Sequence, residues 1–388
     1  MRSLFELIGY EYKKMFARKG TVIAVVLALM LTCFAQVMLL TPGFTANYTP
    51  WELMTRSRSY ARAISGRIID EALISAAHYD ISNRDPLQGP YADIFWITQN
   101  TRGMWDLPEA EGITDFYELN RISVLRGAEW LVSQNHMPYQ AVDWIMAQYD
   151  SIPTPWVFEY YGGYYNFFTR LSIVTVILFF ALAVGIAPIF ATEHRTGVAQ
   201  LILASKYGKS KLIRAKLIAA ASFCVGLTIV LLLSGFIVCM AVFGRDGGAA
   251  VFQLYWHVTP YNFNMRQVTA IYFVNAALRG MFFGAVLLFL SSKLKSSFGV
   301  MIIASVWIMV ALAFIIPLPS IWLGNIVRLV VQILPAMVNP TRSVFANVPY
   351  EVFGVFFPPF VFEPVFNLAV GVLAMFFAGW VFRRYQVV

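Results

Sequence analysis

Phe190 to Leu217 reads FATEHRTGVAQLILASKYGKSKLIRAKL, and its place between two apolar runs decides how the rest of the chain is read. It is a long polar break and strongly basic, carrying Glu193, His194, Arg195, Lys206, Lys209, Lys211, Arg214 and Lys216. Val198, Leu201, Ile202 and Leu203 would give a helix within it one apolar side, which predicts a short amphipathic helix lying at the cytoplasmic surface of a membrane. Gly208 is expected to end that helix, and Ser210 to cap the next one, which enters the bilayer.

Outward from this stretch lie apolar runs of crossing length. Leu171 to Thr192 before it is charge-free for 22 residues, and Leu217 to Gly244 after it for 28. A crossing helix needs roughly 20. Gly20 to Leu40 is a charge-free run of 21, and Gln267 to Ser292 is broken only by Arg279. Phe298 to Ile316, stopped by Pro317 and Pro319, and Pro364 to Phe382 complete six. The reading is an all-α polytopic membrane protein, with crossings at 20–41, 169–192, 213–244, 267–292, 298–316 and 364–382. The composition of the 388 residues agrees: 59% hydrophobic, 13% charged, mean hydropathy +0.65. Ordinary soluble domains carry about a quarter charged residues.

The N-terminal residues 1–19 place Leu4, Leu7, Ile8, Met15 and Phe16 near helical spacing against Glu6, Glu11, Lys13, Lys14, Arg18 and Lys19, an interfacial amphipathic helix. The charged flank, the length of the following run and the lack of a small-residue cleavage site favour a retained anchor over a removed signal. Residues 42–168 change character, with 15 acidic residues, 8 arginines and no lysine. They form a mainly helical extracytoplasmic insert, with helices expected at Trp51–His78, Thr114–Val132 and Tyr139–Tyr149. Loops are expected at Asn83–Pro90 and Thr101–Ile113. Its tryptophans, Trp51, Trp96, Trp105, Trp130, Trp144 and Trp156, suit core packing or the membrane interface better than a ligand face.

Lysine sets the orientation. All nine, at 13, 14, 19, 206, 209, 211, 216, 293 and 295, fall on one side of the six-crossing layout, which the positive-inside rule makes cytoplasmic. Both termini then lie inside, with cytoplasmic segments at 193–212, 293–297 and 383–388 and an outer loop at 245–266. The net charge of +8 reads as orientation and attraction to anionic lipid, with no nucleic-acid patch needed.

Chemistry is sparse. Cys33, Cys224 and Cys239 lie in apolar spans, and His78, His136, His194 and His257 show no ligand spacing. Asp85, Asp106, Glu109, Glu111, Asp115 and Glu118 form neither a calcium loop nor a catalytic pair with a defined partner, and read as a solvated acidic face. Asn47 opens a glycosylation sequon. No HExxH or GxSxG motif supports an intramembrane enzyme, and no GxxxxGK[ST] loop would cradle ATP. Arg279 is the one ionisable residue well inside a span, with Asn275 one turn earlier on the same face and Tyr272 near it. Two readings stand: a polar patch on a translocation path or permease interface, or an arginine that snorkels to the outer headgroups.

Glu193, Thr196 and Gly197, the apolar triplet Leu201 to Leu203, a polar turn, and Lys216 opening a long apolar helix together resemble the segment after the second span in permeases of the type-2 ATP-binding-cassette export family. The likeness extends to the layout of nearly the whole chain. It implies a coupling helix that docks on a separate cytoplasmic ATPase, with two permease copies or homologues and two ATPase subunits in the assembly. ATP and Mg would be bound by the partner, with no cofactor in this chain. Closure of the ATPase dimer would push the Glu193 to Leu203 helix and reorient the spans. The interface implied is Glu193, Thr196, Gly197, Leu201 and Lys216, with Gly197 allowing close backbone approach and Glu193 making a charged contact. The family also implies a re-entrant segment within 317–363, at Ile321–Leu334, and the plasma membrane of a bacterium. Two departures stand out: no proline falls at Lys206–Ser210, and the large insert carries no substrate identity. A reading of another class is a membrane-anchored sensor or assembly protein whose acidic outer domain binds a partner.

Overall fold

A computed structural model describes residues 4–38, 58, 59, 61–83, 91, 94, 95, 97, 98, 115–134, 136–205, 207–313 and 344–384. The sequon at Asn47, Trp51, Trp96, Trp105, Asp85, Asp106, Glu109, Glu111, Lys206 and the re-entrant helix expected at 321–334 lie outside the described residues.

Five helical stretches are long and apolar enough to cross a membrane, compatible with a multi-pass membrane protein. The first is α2 (Lys19–Met38), preceded by α1 (Leu4–Phe16). The second is α6 (Gly162–Ile186) continued by α7 (Pro188–Arg195). The third is α9 (Ile213–Phe243), which follows the short α8 (Val198–Ala204) and one turn of π-helix at Gly208–Leu212. The last two are α10 (Met265–Lys293) and α12 (Pro359–Arg383). Between these, α11 (Ser297–Ala313) is apolar but has 17 described residues, and the rest of the expected crossing at 298–316 is not described.

The bundle is built around α6, which packs on α2, α9, α10 and α11. Close approach of α9 and α10 rests on small residues. A Cβ on Gly280 would overlap the Thr228 hydroxyl, and one on Gly284 the Cys224 sulfur, so the glycines of α10 make room for the small side chains of α9. Among the described residues the α10–α12 pair is the most extensive helix contact.

The last helix departs from the sequence reading. It starts at Pro359, ahead of the expected 364, and takes in Glu363 and Pro364. Proline is tolerated in a first turn because the missing N–H has no intrahelical acceptor there, so Pro359 opens the helix and does not delay it. Before it, where extracytoplasmic or re-entrant chain was expected, stands a hairpin of β1 (Tyr350–Val352) and β2 (Val355–Phe357), paired antiparallel. Phe353 and Gly354 turn it with φ of 51° and 80°, the double positive φ that a tight hairpin demands.

Between α2 and α6 lie α3 (Glu71–Asn83), α4 (Phe116–Ser133) and α5 (Gln140–Tyr149). The helix expected across Trp51–His78 is interrupted. Gly66 takes φ 88° and Ile68 bridges to Val157, and Asp70 then accepts from the Leu73 N–H at 2.7 Å to start α3. Asp115 caps α4 by accepting from the Tyr117 N–H at 2.8 Å, one of the carboxylates read as a solvated face. Trp156 is almost fully buried and sits edge-on to Phe116 and Tyr117, so it packs a core. The Tyr117 hydroxyl donates to the Ile69 carbonyl at 2.7 Å and accepts from the Trp156 N–H at 2.8 Å. Burial pushes its pKa up to about 12.

This layer is tied to the loop between α9 and α10. Tyr160 donates to the Phe243 carbonyl and Tyr161 to the Leu254 carbonyl, both at 2.8 Å. Asn120 donates to the Tyr149 hydroxyl at 2.8 Å and to the His257 carbonyl at 3.1 Å. The His257 ring is pushed down to about 4 by burial. The folded protein therefore keeps it neutral while the unfolded chain takes up a proton below about 6.5. Stability is expected to be intact above that pH and to fall by on the order of 2 kcal/mol as pH drops to about 4. Thermal melts of His257→Gln against wild type check this, the variant losing that part of the pH dependence.

Candidate functional site

The stretch at 190–217 folds as a series of short braced pieces. After Ile186 the long helix breaks at Ala187, because Pro188 has no N–H to continue the ladder. The break leaves the first amides of α7 without helical acceptors. The Ser291 hydroxyl accepts from both Phe190 N–H at 3.1 Å and Ala191 N–H at 3.0 Å, and donates to the Ala187 carbonyl at 2.7 Å. His194 lies 3.0 Å from the Ser292 carbonyl through Nε2 and packs on Phe382, as does Phe190. One end of α7 is thereby fixed to the ends of α10 and α12.

Gly197 joins α7 to α8 with φ 72°, a left-handed turn that glycine adopts without strain. Its space is open: a Cβ there would meet nothing within 4 Å. Within this chain the close approach belongs to Gly208, where a Cβ would overlap the Ile202 carbonyl. Neither Gly208 nor Ser210 acts as expected. The helix ends earlier, at Ala204, and Ser210 makes no side-chain cap because the π-helical turn runs directly into α9. On α8 the apolar positions divide between two sides. Val198 is 41% exposed and Leu201 74%, whereas Ile202 and Leu203 pack toward the core.

Behind α8 sits the first buried ion cluster. Lys216 of α9 is 1% exposed and Glu193 of α7 is 2% exposed, so neither has a free face for a partner protein. The resemblance implied a docking contact for both; in the chain by itself they stand behind the surface. The Lys216 ammonium donates to Glu193 at 2.6 Å and to Glu11 of α1 at 3.0 Å. Lys14 also pairs with Glu193. Arg18 donates to the Pro188 carbonyl at 3.2 Å. Burial draws its guanidinium below the usual range while Glu193 and Glu11 hold it up. Glu11, Lys14 and Arg18 recur at three and four residues, one helix face. The amphipathic α1 thus docks on the bundle by a mixed face, with buried Met15 beside Glu11 and Lys14 and Phe16 edge-on to Phe223 of α9, while Phe5 points outward.

The second cluster joins α10 to α12. Tyr272, Asn275 and Arg279 do share a face, and all three are buried. Arg279 does not snorkel; it pairs with Glu363, itself 2% exposed. The Tyr350 hydroxyl of the hairpin donates to the other Glu363 oxygen at 3.3 Å. Pro364 adds a consequence of its own. Lacking an N–H, it frees the carbonyl four residues earlier, that of Phe360, and the Asn275 amide donates there at 3.5 Å and to the Ile271 carbonyl at 3.0 Å. Asn367 follows one turn below Glu363 and is also buried, completing a polar seam. No metal-ligand cluster occurs among the described residues.

Comparison of the chain with protein-family models, curated proteins and solved structures finds no match. The site rests on its own geometry. Glu11 and Glu363 are the functional candidates that sequence reading passed over. For Glu11 the signal was its register with Lys14 and Arg18, and for Glu363 its position ahead of a proline able to stand inside a helix.

Proposed function

We propose that this chain is the permease subunit of an ATP-driven exporter of the type-2 ATP-binding-cassette kind. It crosses the plasma membrane six times with both termini cytoplasmic, forms the translocation path with a second copy or homologue, and couples to a separate ATPase. The observation that carries the reading is α8, a seven-residue helix between two spans that exposes Val198 and Leu201 while its neighbours are braced on every side. A push on α8 passes through Gly197 to α7. From there Glu193 and Lys216 lead to α1 and α9, and Ser291, His194 and Phe190 lead to α10 and α12. The docking surface is Thr196, Gly197, Val198 and Leu201, with Glu193 and Lys216 as the rigid backing. The sensor or assembly reading draws on the tight docking of the outer layer to the α9–α10 loop, and it predicts partner binding with no ATPase stimulation.

The test is copurification with a P-loop ATPase lacking membrane spans encoded beside this chain, followed by measurement of its turnover. The wild-type chain is expected to stimulate it. Leu201→Asp places a charge on an exposed apolar position and is expected to cut stimulation at least tenfold while leaving the thermal melt within about 1 °C of wild type, as surface substitutions usually do. Equal stimulation by both chains would remove α8 from the contact.

A further inference from the structure

The end of the bundle opposite the lysines carries its positive charge on arginine alone. Three spans meet there: α6 begins at Gly162, α9 ends at Phe243 and α10 begins at Met265. The connecting turn Gly244–Arg245–Asp246–Gly247–Gly248 is wound tightly against them. Gly244 and Gly247 take φ of 108° and 77°, and a Cβ on Gly163 would strike the Gly244 carbonyl. Around this turn stand Arg58, Arg62, Arg245 and Arg266.

Only one of the four is neutralised. Arg62 donates to Asp246 through Nε at 2.9 Å and lies over the Tyr160 ring. Arg58 lies against Gly244, its Nη2 and Nε 3.2 and 3.3 Å from where a Cβ would stand. It is half-buried, and its Nε is shut off from solvent without a hydrogen-bond acceptor. The Arg266 side chain lies over Gly248 beside the Tyr164 hydroxyl. Among the described residues, Arg58, Arg245 and Arg266 make no ion pair and no side-chain hydrogen bond. The start of α6 adds to the same field, because no side chain caps its first amides.

Asp246, whose Oδ2 also lies 3.2 Å from where a Gly244 Cβ would stand, is taken up by Arg62. An excess of half-buried guanidinium over carboxylate is destabilising, and positive charge is normally depleted at one membrane face. Both departures are resolved by an anion from outside the chain. Guanidinium forks match phosphate oxygens in pairs, and in a bilayer the ends of three apolar helices of crossing length would bring the turn toward the lipid headgroups. We propose that the turn at 244–248 is a binding site for the phosphate of an anionic phospholipid headgroup, held by Arg58 and Arg266 with Arg245 at its rim. The site is independent of the exporter reading and requires only that these helices be embedded in a bilayer.

The test uses the full chain in nanodiscs of phosphatidylcholine alone and of phosphatidylcholine mixed equally with phosphatidylglycerol. Wild type is expected to melt roughly 3–6 °C higher with the anionic lipid. Arg266→Gln, an exposed change that leaves folding intact, and Arg58→Gln are each expected to lose at least half of that shift. Lys209→Gln with Arg214→Gln, at the opposite end, keeps it. In phosphatidylcholine alone Arg58→Gln is expected to be at least as stable as wild type, since it removes an unpaired cation. A full anionic-lipid shift in both arginine variants would overturn the site, as would an Arg58→Gln chain that is less stable than wild type in neutral lipid. The same shift from soluble glycerol phosphate in neutral discs would assign the arginines to a free phosphate compound and end the lipid proposal.

Discussion

Replacing Glu363 with leucine is expected to remove the carboxylate that pairs with Arg279 between α10 and α12 and to lower the unfolding free energy by about 3–5 kcal/mol, the usual effect of breaking a buried pair from one side. Arg279→Met should do similar damage from the other side, stranding a carboxylate that retains only the Tyr350 hydroxyl. The diagnostic is the double variant. With both charges gone the seam becomes apolar, and because a buried pair of this kind is often replaceable by hydrophobic side chains, Glu363→Leu with Arg279→Met should recover most of the loss. Denaturant or thermal unfolding of the four chains in one lipid gives the coupling energy directly. Simple addition of the two single losses would show that the residues act separately, against the geometry.

Lys216→Met carries the second large effect. It leaves Glu11 and Glu193 near each other under α1, with Lys14 still on Glu193 and only the longer-range charge of Arg18 acting on Glu11. A loss of about 3–5 kcal/mol is expected on the same grounds, and its local sign is release of α1 from α9. Tryptic cleavage after Lys13 and Lys14 should therefore accelerate in the folded protein. Adding Glu11→Gln removes the stranded charge and should restore more than half of the stability and the protection. Wild-type cleavage rates in Lys216→Met would mean that apolar contacts such as Met15, not the ion cluster, hold the helix.

Both clusters bear on how closely the positions of these helices are tied to one another. A polar contact inside an apolar bundle is directional in a way that greasy packing is not. Lys216 can satisfy Glu11 and Glu193 together only in a narrow range of α1, α7 and α9 positions. The same holds where Ser291 splints the break at Pro188. These contacts brace the segments on either side of α8, and Gly197 joins α7 to α8 with a φ of 72° that would strain most residues with a Cβ.

Much of the architecture was readable before any coordinates. The apolar runs at 20–41, 169–192, 213–244 and 267–292 correspond to long helices, and their ends shift by a few residues. The helix expected at Thr114–Val132 was legible and begins at Phe116, but the capping role of Asp115 was not read from the sequence, which placed it on a solvated acidic face. The insert's first helix was not, because Gly66 and the Ile68–Val157 bridge interrupt a stretch whose apolar spacing alone looks continuous. The start of α12 was missed because Pro364 was read as a boundary, whereas proline inside a helix is tolerated when a neighbouring side chain, here Asn275, takes the orphaned carbonyl.

The sequence by itself determined which stretches are apolar and long enough for lipid, where they are interrupted, and that lysine gathers on one side of that layout. Those properties depend on neighbours within a turn or two, so they can be read along a line. Only the tertiary structure decided what the charged residues do. Arg279 meets Glu363 across 84 positions and Lys216 meets Glu11 across 205. A charge buried in an apolar bundle is governed by its nearest counter-charge in space, and sequence spacing does not encode that distance.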